Sequence, residues 1–387
     1  MTHDGSRRQL LLGSAALAAA TLVPKAARAA PPGAPRLRGS LTIGAVPDDG
    51  SELVRIGEWM RSQHALSDVY GNVDWIQAFE TRVAQLLGFE AGCFFPTGTM
   101  AQLIVLRLHA ARSGSRLVGV HPSSHHVLHE NDSLEVLHGL TPRAISPWER
   151  PISGDDVRRC PERLGAVSFE LPLRWLGGVL PTRDQLEELK LACRELRIPL
   201  HMDGARLWEC QPYYGKSLAE ICRGFETVYV SMYKTLGALA GAVIVGARPL
   251  VAEMRMWRRR HGGDAVHLYP YVASSAMRLD GALTRIPTWV ERARKLATAL
   301  RKDGQLVVAP DPVPTNMFRL YLRGSPETLR ERRDQVAKER GIWVAWGFPP
   351  ARVPGFVECE LQLAGDSDPI KDEEALAAVK AVISAPR

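Results

Sequence analysis

Two apolar segments that end in charged side chains constrain the fold of this chain more than any other feature. The first segment, 198–202, is followed by Asp203 and Arg206. The second, 228–231, begins about two dozen residues later and leads to Lys234. In an open α/β sheet, ligands bind at the edge where the carboxyl ends of parallel strands meet. We therefore expect these three side chains to lie close together at one edge of a sheet.

An aspartate, an arginine and a lysine at such an edge can hold pyridoxal 5′-phosphate (PLP). The lysine forms the Schiff base and the aspartate pairs with the protonated ring nitrogen. Because Lys234 follows an apolar strand, we expect partial desolvation to lower the pKa of its amine. The alternative is an ordinary surface lysine, as we interpret most of the others (Lys190, Lys295, Lys302 and Lys338).

Strand-like and helical patterns alternate along most of the chain, which predicts an α/β fold with a large, mostly parallel sheet. We predict helices over 73–87 and 127–138, and strands over 166–170, 317–322 and 342–346. The short gap between strands 228–231 and 241–245 permits a hairpin, so one strand can be antiparallel. The predicted division is a large domain over 51–280, followed by a linker helix and a small α+β domain over 281–387.

A short apolar run over 91–95 is closed by Pro96-Thr97-Gly98-Thr99, and helical spacing resumes at residue 100. Backbone N–H groups at the start of a helix that follows such a turn bind anions. We therefore place a phosphate site at Gly98 and Thr99. The alternative is an ordinary helix start.

The first 29 residues have the features of an export signal. Two arginines, Arg7 and Arg8, precede an apolar, alanine-rich stretch, and Ala27-Arg28-Ala29 is a small-residue cleavage pattern. We predict a twin-arginine signal over 1–29, an exposed leader over 30–50, and a periplasmic or otherwise exported protein. The alternatives are a Sec signal or a disordered N-terminus, with a cytoplasmic protein if the signal is not functional.

Composition limits the remaining classes. With 387 residues, 45% of them hydrophobic, the chain can form one large and one smaller domain. The formal charge of +7 falls to +4 without residues 1–29, which hold four basic residues and one acidic residue. No basic run is interleaved with aromatic residues, so nucleic-acid binding has no support. No later apolar run is long enough for a membrane span. The six cysteines include no C-x-x-C pair, so no metal site is expected, and we interpret them as buried free thiols, although disulfides remain possible.

Four motifs together resemble the threonine aldolase/β-eliminating lyase family. They are D-V-Y-G at 68–71, F-P-T-G-T-M-A-Q at 95–102, H-M-D-G-A-R-L at 201–207 and S-M-Y-K-T-L-G-A at 231–238. The resemblance covers roughly residues 40–365. It implies PLP as the cofactor, the fold-type-I architecture of aspartate aminotransferase with a large seven-stranded sheet, and a homodimer or homotetramer. It also implies that Lys234 is the Schiff-base lysine and Asp203 the ring-nitrogen partner.

The resemblance assigns further positions one at a time. Gly98 and Thr99 match the turn that cradles the phosphate. His125 matches the histidine that stacks on the cofactor ring, with Glu130 following it, and His126 is the alternative match.

Three more positions follow from the same resemblance. Arg206 matches the arginine near the cofactor's phenolate oxygen and the substrate carboxylate. Arg259, in a basic stretch that ends in Gly262-Gly263, is a candidate phosphate contact across a subunit boundary, or else part of a solvated helix end. Tyr70 lies in the D-V-Y-G loop, which borders the active site and the substrate in the family.

The sequence departs from the family pattern at two places. Where the family often has E-N-T-H, Glu170 is followed by Leu-Pro-Leu-Arg, so the candidate histidine base is missing. Where the family has an arginine in its last strand to bind the substrate carboxylate, the segment 356–360 carries acids. Arg319 and Arg174 are alternative substitutes.

The expected activity is a PLP-dependent, threonine aldolase-like lyase that cleaves a β-hydroxy-α-amino acid to glycine and an aldehyde. The expected catalytic residues are Lys234, Asp203 and His125, the last as base for the substrate hydroxyl, directly or through water. Two alternatives stay open. One is another PLP reaction, β-elimination or racemisation, and the other is a non-catalytic exported protein that keeps the fold.

Overall fold

The computed structural model describes residues 36–45, 50–304 and 306–383. The predicted export signal lies outside the described residues. Of the predicted leader, only 36–45 and Gly50 are described.

The described residues contain strands and helices in alternation. The strands are β1 (Gly39–Ser40), β2 (Ala91–Phe95), β3 (Leu117–Val120), β4 (Thr141–Ala144), β5 (Ala166–Glu170), β6 (Leu200–Gly204), β7 (Thr227–Ser231), β8 (Ala242–Gly246), β9 (Leu306–Ala309), β10 (Met317–Leu322), β11 (Ile342–Trp343) and β12 (Val357–Gln362). The helices are α1 (Ser51–Ser62), α2 (Asp74–Leu87), α3 (Gly98–Ser113), α4 (His125–Leu128), α5 (Ser133–His138), α6 (Gly154–Arg159), α7 (Arg183–Glu195), α8 (Gln211–Tyr214), α9 (Leu218–Cys222), α10 (Arg248–Arg260), α11 (Tyr269–Arg301), α12 (Pro326–Arg340) and α13 (Asp372–Ile383). Short 3₁₀ turns lie at Arg174–Leu176, Leu207–Cys210 and Gly365–Ser367.

A seven-stranded sheet in the order β2-β8-β7-β6-β5-β3-β4 forms the centre of the larger region. Only β8 is antiparallel to its neighbours, β2 and β7, and the other pairings are parallel. The predicted α/β class and the predicted hairpin are therefore confirmed. The carboxyl ends of β5, β6 and β7 lie side by side at one edge.

Apolar packing on both faces explains why these strands read as continuous apolar runs. In each of the strands β6, β7 and β8, all five residues are buried. Val228 and Val230 of β7 face one hydrophobic core, whereas Tyr229 between them faces the other. Parallel strands covered on both sides by helices have this composition. The sheet is thus a rigid base for side chains at its edge.

The C-terminal region contains an antiparallel sheet in the order β12-β10-β9. Helices α12 and α13 belong to its core, which is separate from the cores of the large sheet. Helix α11 spans 33 residues and connects the two regions. Its Leu279 and Ile286 pack in the core of the large sheet, and its Leu296 and Leu300 pack in the C-terminal core. The predicted domain boundary at residue 280 falls within this helix.

Several predicted elements need correction. The helix predicted over 127–138 is two helices, α4 and α5, because Asn131 and Asp132 between them adopt positive φ angles. The strand predicted over 342–346 is limited to β11, whose partner is the two-residue strand β1. Strand β4 was not predicted, because it is an edge strand with three exposed residues and a proline, and so lacks an apolar pattern.

Two further observations concern the described residues as a whole. All six cysteines are free thiols, and all but Cys160 are buried. No helix in the described ranges is both long enough and apolar enough to cross a membrane.

Candidate active site

Lys234 lies in the connection between β7 and β8. The loop is closed by backbone hydrogen bonds, in which the N–H of Gly237 donates to the Lys234 carbonyl at 3.0 Å and the N–H of Met232 donates to the Gly241 carbonyl at 3.0 Å. Burial, followed by the nearby Arg206 guanidinium, lowers the pKa of the Lys234 amine to about 8. With this pKa about one tenth of the amine is neutral at pH 7, far more than for a solvated lysine, and the neutral amine is the form that covalent catalysis requires.

Asp203 lies near the end of the neighbouring strand β6 and is 5% exposed. Its Oδ1 accepts a hydrogen bond from the N–H of Ala205 at 3.1 Å. In the sheet it is paired with Glu170 of β5 on one side and Tyr229 of β7 on the other. Its negative charge raises the pKa of both Lys234 and Glu170, so the three groups are close enough to interact.

The predicted phosphate turn lies next to the same strands. Helix α3 starts at Gly98, and the side chain of Thr97 accepts a hydrogen bond from the N–H of Met100 at 3.3 Å. A Cβ atom at Gly98 would lie 2.2 Å from the hydroxyl of Tyr229, so only glycine fits there. Because Tyr229 is the sheet partner of Asp203, the turn and the carboxylate share a neighbour. As the first residues of α3, Gly98 and Thr99 have backbone N–H groups without a partner inside the helix, close to the strand ends.

The two candidate histidines have different environments. His125 Nδ1 lies 2.9 Å from Glu130 Oε1, and 39% of the His125 side chain is exposed. His126 is buried, with Nδ1 3.4 Å from Glu130 Oε2 and Nε2 3.5 Å from Ser168 Oγ. The His125 ring can thus contact a ligand, whereas the His126 ring is enclosed. This geometry favours His125 for the predicted stacking role, and that role stays a prediction.

Glu130 anchors both rings. Burial alone would raise the pKa of its carboxyl group, but hydrogen bonds from His125 and His126 hold that pKa well below its usual range. An ionised Glu130 requires a proton on Nδ1 of His125, since a carboxylate can only accept. The Nε2 atom of His125 has no hydrogen-bond partner among the described residues and can take up a proton.

Arg206 joins this group, whereas two other predicted residues do not. Arg206 is 6% exposed, and its Nε donates to Gln362 Oε1 at 3.0 Å. Arg259 is exposed at the end of α10. Tyr70 is 51% exposed and lines a different cleft from Lys234. The described chain therefore does not bring Tyr70 or Arg259 to Lys234, and their roles stay predictions.

Two buried carboxyl groups, those of Glu209 and Glu170, were not predicted from the sequence to belong to the site. Glu209 is 0% exposed and its Oε1 accepts hydrogen bonds from Thr235 Oγ1 and, at 3.3 Å, from Gln362 Nε2. Burial raises the pKa of Glu209 to about 7. Burial and the Asp203 charge also raise the pKa of Glu170 to about 7. The one available signal was the position of Glu209 three residues after Arg206, which directly precedes the 3₁₀ turn that holds Glu209.

Trp175, in the loop after β5, forms an aromatic pair with His129 at the end of α4, and this pair also was not predicted. The rings of His129 and Trp175 are stacked, with centroids 5.6 Å apart and planes inclined by 10°. Trp175 Nε1 donates to His129 Nε2 at 3.2 Å. This pair lies beside Arg174, in the segment where the resemblance leads one to expect a histidine.

Comparison with known proteins places this geometry in a family. The family model for β-eliminating lyases matches residues 60–323, which is more than half of the chain. The chain belongs to the β-eliminating lyase family. Among curated proteins, the low specificity L-threonine aldolase of Escherichia coli K12 is 30% identical to this chain over 270 residues (67% of this chain, 78% of that protein). The chain is 33% identical over 272 residues to the aldolase vrtJ of Penicillium aethiopicum (65% of this chain, 67% of that protein).

Solved structures give the same result for the fold of this chain. A candidate L-allo-threonine aldolase from Listeria monocytogenes is 33% identical, with a TM-score of 0.81 over 90% of this chain and 95% of that one. A serine palmitoyltransferase from S. paucimobilis with PLP-myriocin bound is 17% identical, with a TM-score of 0.64 over 90% of this chain and 87% of that one. The latter similarity concerns the fold alone. Both support a fold-type-I architecture.

Proposed function

We propose that this protein uses PLP to cleave a β-hydroxy-α-amino acid to glycine and an aldehyde, as threonine aldolases do. The observation that carries the proposal is the amine of Lys234, with a pKa of about 8, beside Asp203 and Arg206 at the carboxyl edge of the sheet. The threonine aldolases among its relatives support the reaction class.

The residues present fit PLP. Lys234 offers an amine for covalent attachment, and Asp203 offers a buried carboxylate on the adjacent strand. Gly98 lets the turn pack against the Tyr229 hydroxyl, where a Cβ atom would collide, and this places the start of helix α3, with its unpaired backbone N–H groups, beside the strand ends, where an anion can bind. Bound PLP supplies an electron sink for the charge that is released when the Cα–Cβ bond breaks.

The protein's own groups then have distinct tasks. Lys234 would hold the cofactor through its amine, and as a free amine it could carry a proton. Asp203 would pair with the ring nitrogen and favour its protonated form. Nε2 of His125 takes the proton of the substrate β-hydroxyl, directly or through water, while Glu130 fixes the opposite side of the ring. The guanidinium of Arg206 orients the substrate carboxylate.

The direct test is to incubate the holoenzyme with L-threonine and with L-allo-threonine and to assay glycine and acetaldehyde. Product formation well above that of a Lys234→Ala control supports the proposal. If neither substrate gives product above this control, the aldolase assignment is wrong.

A second candidate is racemisation or β-elimination of an amino acid. It is favoured by the loop after Glu170, where Leu-Pro-Leu-Arg replaces E-N-T-H and Trp175 stacks on His129 from the end of α4. One relative is the alanine racemase TOXG of Cochliobolus carbonum, 33% identical over 198 residues (48% of this chain, 49% of that protein). Circular dichroism of L-alanine incubated with the holoenzyme, and pyruvate release from L-serine, would reveal these activities.

We also propose export by the twin-arginine route and assembly into a homodimer or homotetramer. The Arg7-Arg8 pair before an apolar stretch supports the first. Export is tested by fractionating cells that express the full chain or a variant with both arginines replaced by lysine. Only the variant is expected to stay in the cytoplasm.

The exposed Tyr70 and Arg259 support assembly into an oligomer, because such residues can complete the site of a neighbouring subunit. Sedimentation of the holoenzyme tests it.

Covalent attachment of PLP to the apoprotein is expected to follow the titration of Lys234. The neutral amine is the attacking form, and with a pKa of about 8 about 1% of it is neutral at pH 6 and half at pH 8. The rate should rise about tenfold between pH 6 and 7 and level off above pH 9. Stopped-flow absorbance measures it. A rate that continues to rise to pH 10 would instead indicate an ordinary, solvated lysine.

A side chain at Gly98 is expected to weaken PLP binding. In Gly98→Ala the new methyl group meets the Tyr229 hydroxyl, so the turn must shift, at a stability cost of about 1–3 kcal/mol. We expect at least about tenfold weaker binding of PLP, measured by titration of the apoprotein.

Two variants serve as controls for the Gly98 substitution. Gly57→Ala places a methyl group where nothing lies within 4 Å and should bind PLP normally. Adding Tyr229→Phe to Gly98→Ala removes the colliding oxygen and should restore part of the affinity. If Gly98→Ala binds PLP as tightly as the parent protein does, the phosphate site predicted at Gly98 and Thr99 is wrong.

A further inference from the structure

The last strand of the small sheet carries acceptors that hold two arginines from elsewhere in the chain. Glu358, Glu360 and Gln362 alternate along β12 and therefore share one face. Glu360 accepts from Nε of Arg174 at 3.2 Å and 2.9 Å with its two oxygens. Gln362 Oε1 accepts from Nε of Arg206 at 3.0 Å. One strand thus fixes two guanidinium groups.

Both arginines are held through Nε only. The Nη groups of Arg174 and Arg206 have no hydrogen-bond partner among the described residues. The planar guanidinium presents these groups as a pair suited to bidentate binding of a carboxylate. In both arginines, Nε is thus held by an acceptor, while the two Nη groups are available to a ligand.

Both arginines also lie near the reactive amine. Each lowers the pKa of Lys234, and Arg174 lowers that of Arg206. About one third of the Arg174 side chain is exposed, so a small ligand can reach it. Two neighbouring cations with free donors form a site for an anion.

Arg319, the other possible substitute, is already occupied. It lies opposite Glu360 in the β10–β12 pair and is 3% exposed. Its Nη1 lies 3.1 Å from Glu358 Oε1, and its Nη2 lies 3.6 Å from Glu360 Oε2. Both Nη groups of Arg319 therefore face the two acids, and only its Nε, which is buried, has no hydrogen-bond partner, so Arg319 offers no pair of outer N–H groups to a carboxylate.

We propose that Arg174 binds the substrate α-carboxylate together with Arg206, and that Glu360 is the positioning residue that holds Arg174. Arg174, in the loop after β5, thereby binds the carboxylate, while Glu360, in the last strand β12, accepts the hydrogen bonds that orient Arg174. This inference rests on the proposed function, because it names the ligand group bound at the same site. No covalent step is involved.

The test compares two ligands that differ only in the carboxylate. Glycine and glycinamide are titrated into the PLP-loaded protein, and dissociation constants are obtained by calorimetry and from the cofactor absorbance. Arg174→Gln should weaken glycine binding about 10- to 100-fold, the range of hydrogen bonds to charged groups, and change glycinamide binding less than about threefold. Equal weakening of both ligands, or of neither, overturns the proposal.

Further variants keep the test decisive. Arg174→Lys retains the charge but cannot bind Glu360 and a carboxylate through separate edges, so it should weaken glycine binding to a similar extent. Glu360→Ala should also weaken glycine binding selectively, and Glu360→Asp should restore part of it. Arg143→Gln breaks a surface pair with Glu162 and should leave both ligands unaffected. If Arg174→Gln does not fold, Arg174→Lys alone decides, since unchanged glycine binding in it overturns the proposal.

The outcomes separate this inference from the proposed function. If the parent protein binds glycine in an Arg174-dependent manner but releases no aldehyde from threonine, only the aldolase assignment fails. If it cleaves threonine while Arg174→Gln binds glycine normally, only the carboxylate assignment fails.

Discussion

Replacement of Lys234 by alanine is expected to lower kcat for aldol cleavage by at least about 10⁴-fold, the scale on which loss of a covalent catalytic residue acts. The amine of Lys234 has no substitute nearby, because the other cations at the edge, Arg206 and Arg174, stay protonated. Steady-state assays of acetaldehyde release measure the effect. The absorbance of covalently attached PLP should disappear together with the activity.

Two controls accompany this variant. Lys234→Arg keeps the positive charge but should be equally inactive, which separates the chemistry of the amine from its charge. Lys295→Ala removes an exposed lysine of α11 and should retain full activity. Substantial turnover by Lys234→Ala would show that the reactive amine lies elsewhere.

Replacement of Asp203 by asparagine is expected to lower kcat by about 10³-fold, because a neutral amide does not keep the cofactor ring nitrogen protonated. The amide oxygen can still accept from Ala205 N–H, so the local backbone should be preserved. Steady-state kinetics measure the loss, and thermal melts test whether the fold is kept.

A second readout of Asp203→Asn follows from electrostatics. Asp203 raises the pKa of Lys234, so its removal should lower that pKa further below 8 and move the pH profile of PLP attachment to lower pH. The exposed Asp184 gives a matched control in Asp184→Asn, which should change neither value. An unchanged kcat in Asp203→Asn would contradict the assigned role.

The environment of Asp203 also affects Glu170. Glu170 Oε1 accepts from the backbone N–H of Arg174 at 3.1 Å, while Oε2 is buried without a hydrogen-bond partner. Burial and the Asp203 charge keep the pKa of Glu170 at about 7. Its protonation state therefore changes near neutral pH, at the start of the loop that positions Arg174.

The local sequence pattern was sufficient to predict strands that are buried on both faces or whose apolar and polar residues alternate clearly. Strands 166–170 and 317–322 were predicted with the bounds that the structure has. Edge strand β4 was not predicted, because none of its four residues is buried and the strand therefore has no hydrophobic periodicity. The helix predicted over 127–138 was interrupted by backbone angles at Asn131 and Asp132, which local apolar spacing does not encode.

The sequence by itself determined that Asp203, Arg206 and Lys234 meet, because parallel strands bring their carboxyl ends to one edge. Only the tertiary structure decided how these groups are held and charged. Gln362 contacts Glu209 across 153 positions, and Glu360 contacts Arg174 across 186. Contacts between residues so far apart in the chain produce no local sequence periodicity from which they could be predicted. The lowered pKa of Lys234 likewise depends on burial and on charges from several strands, which exist only once the chain has folded.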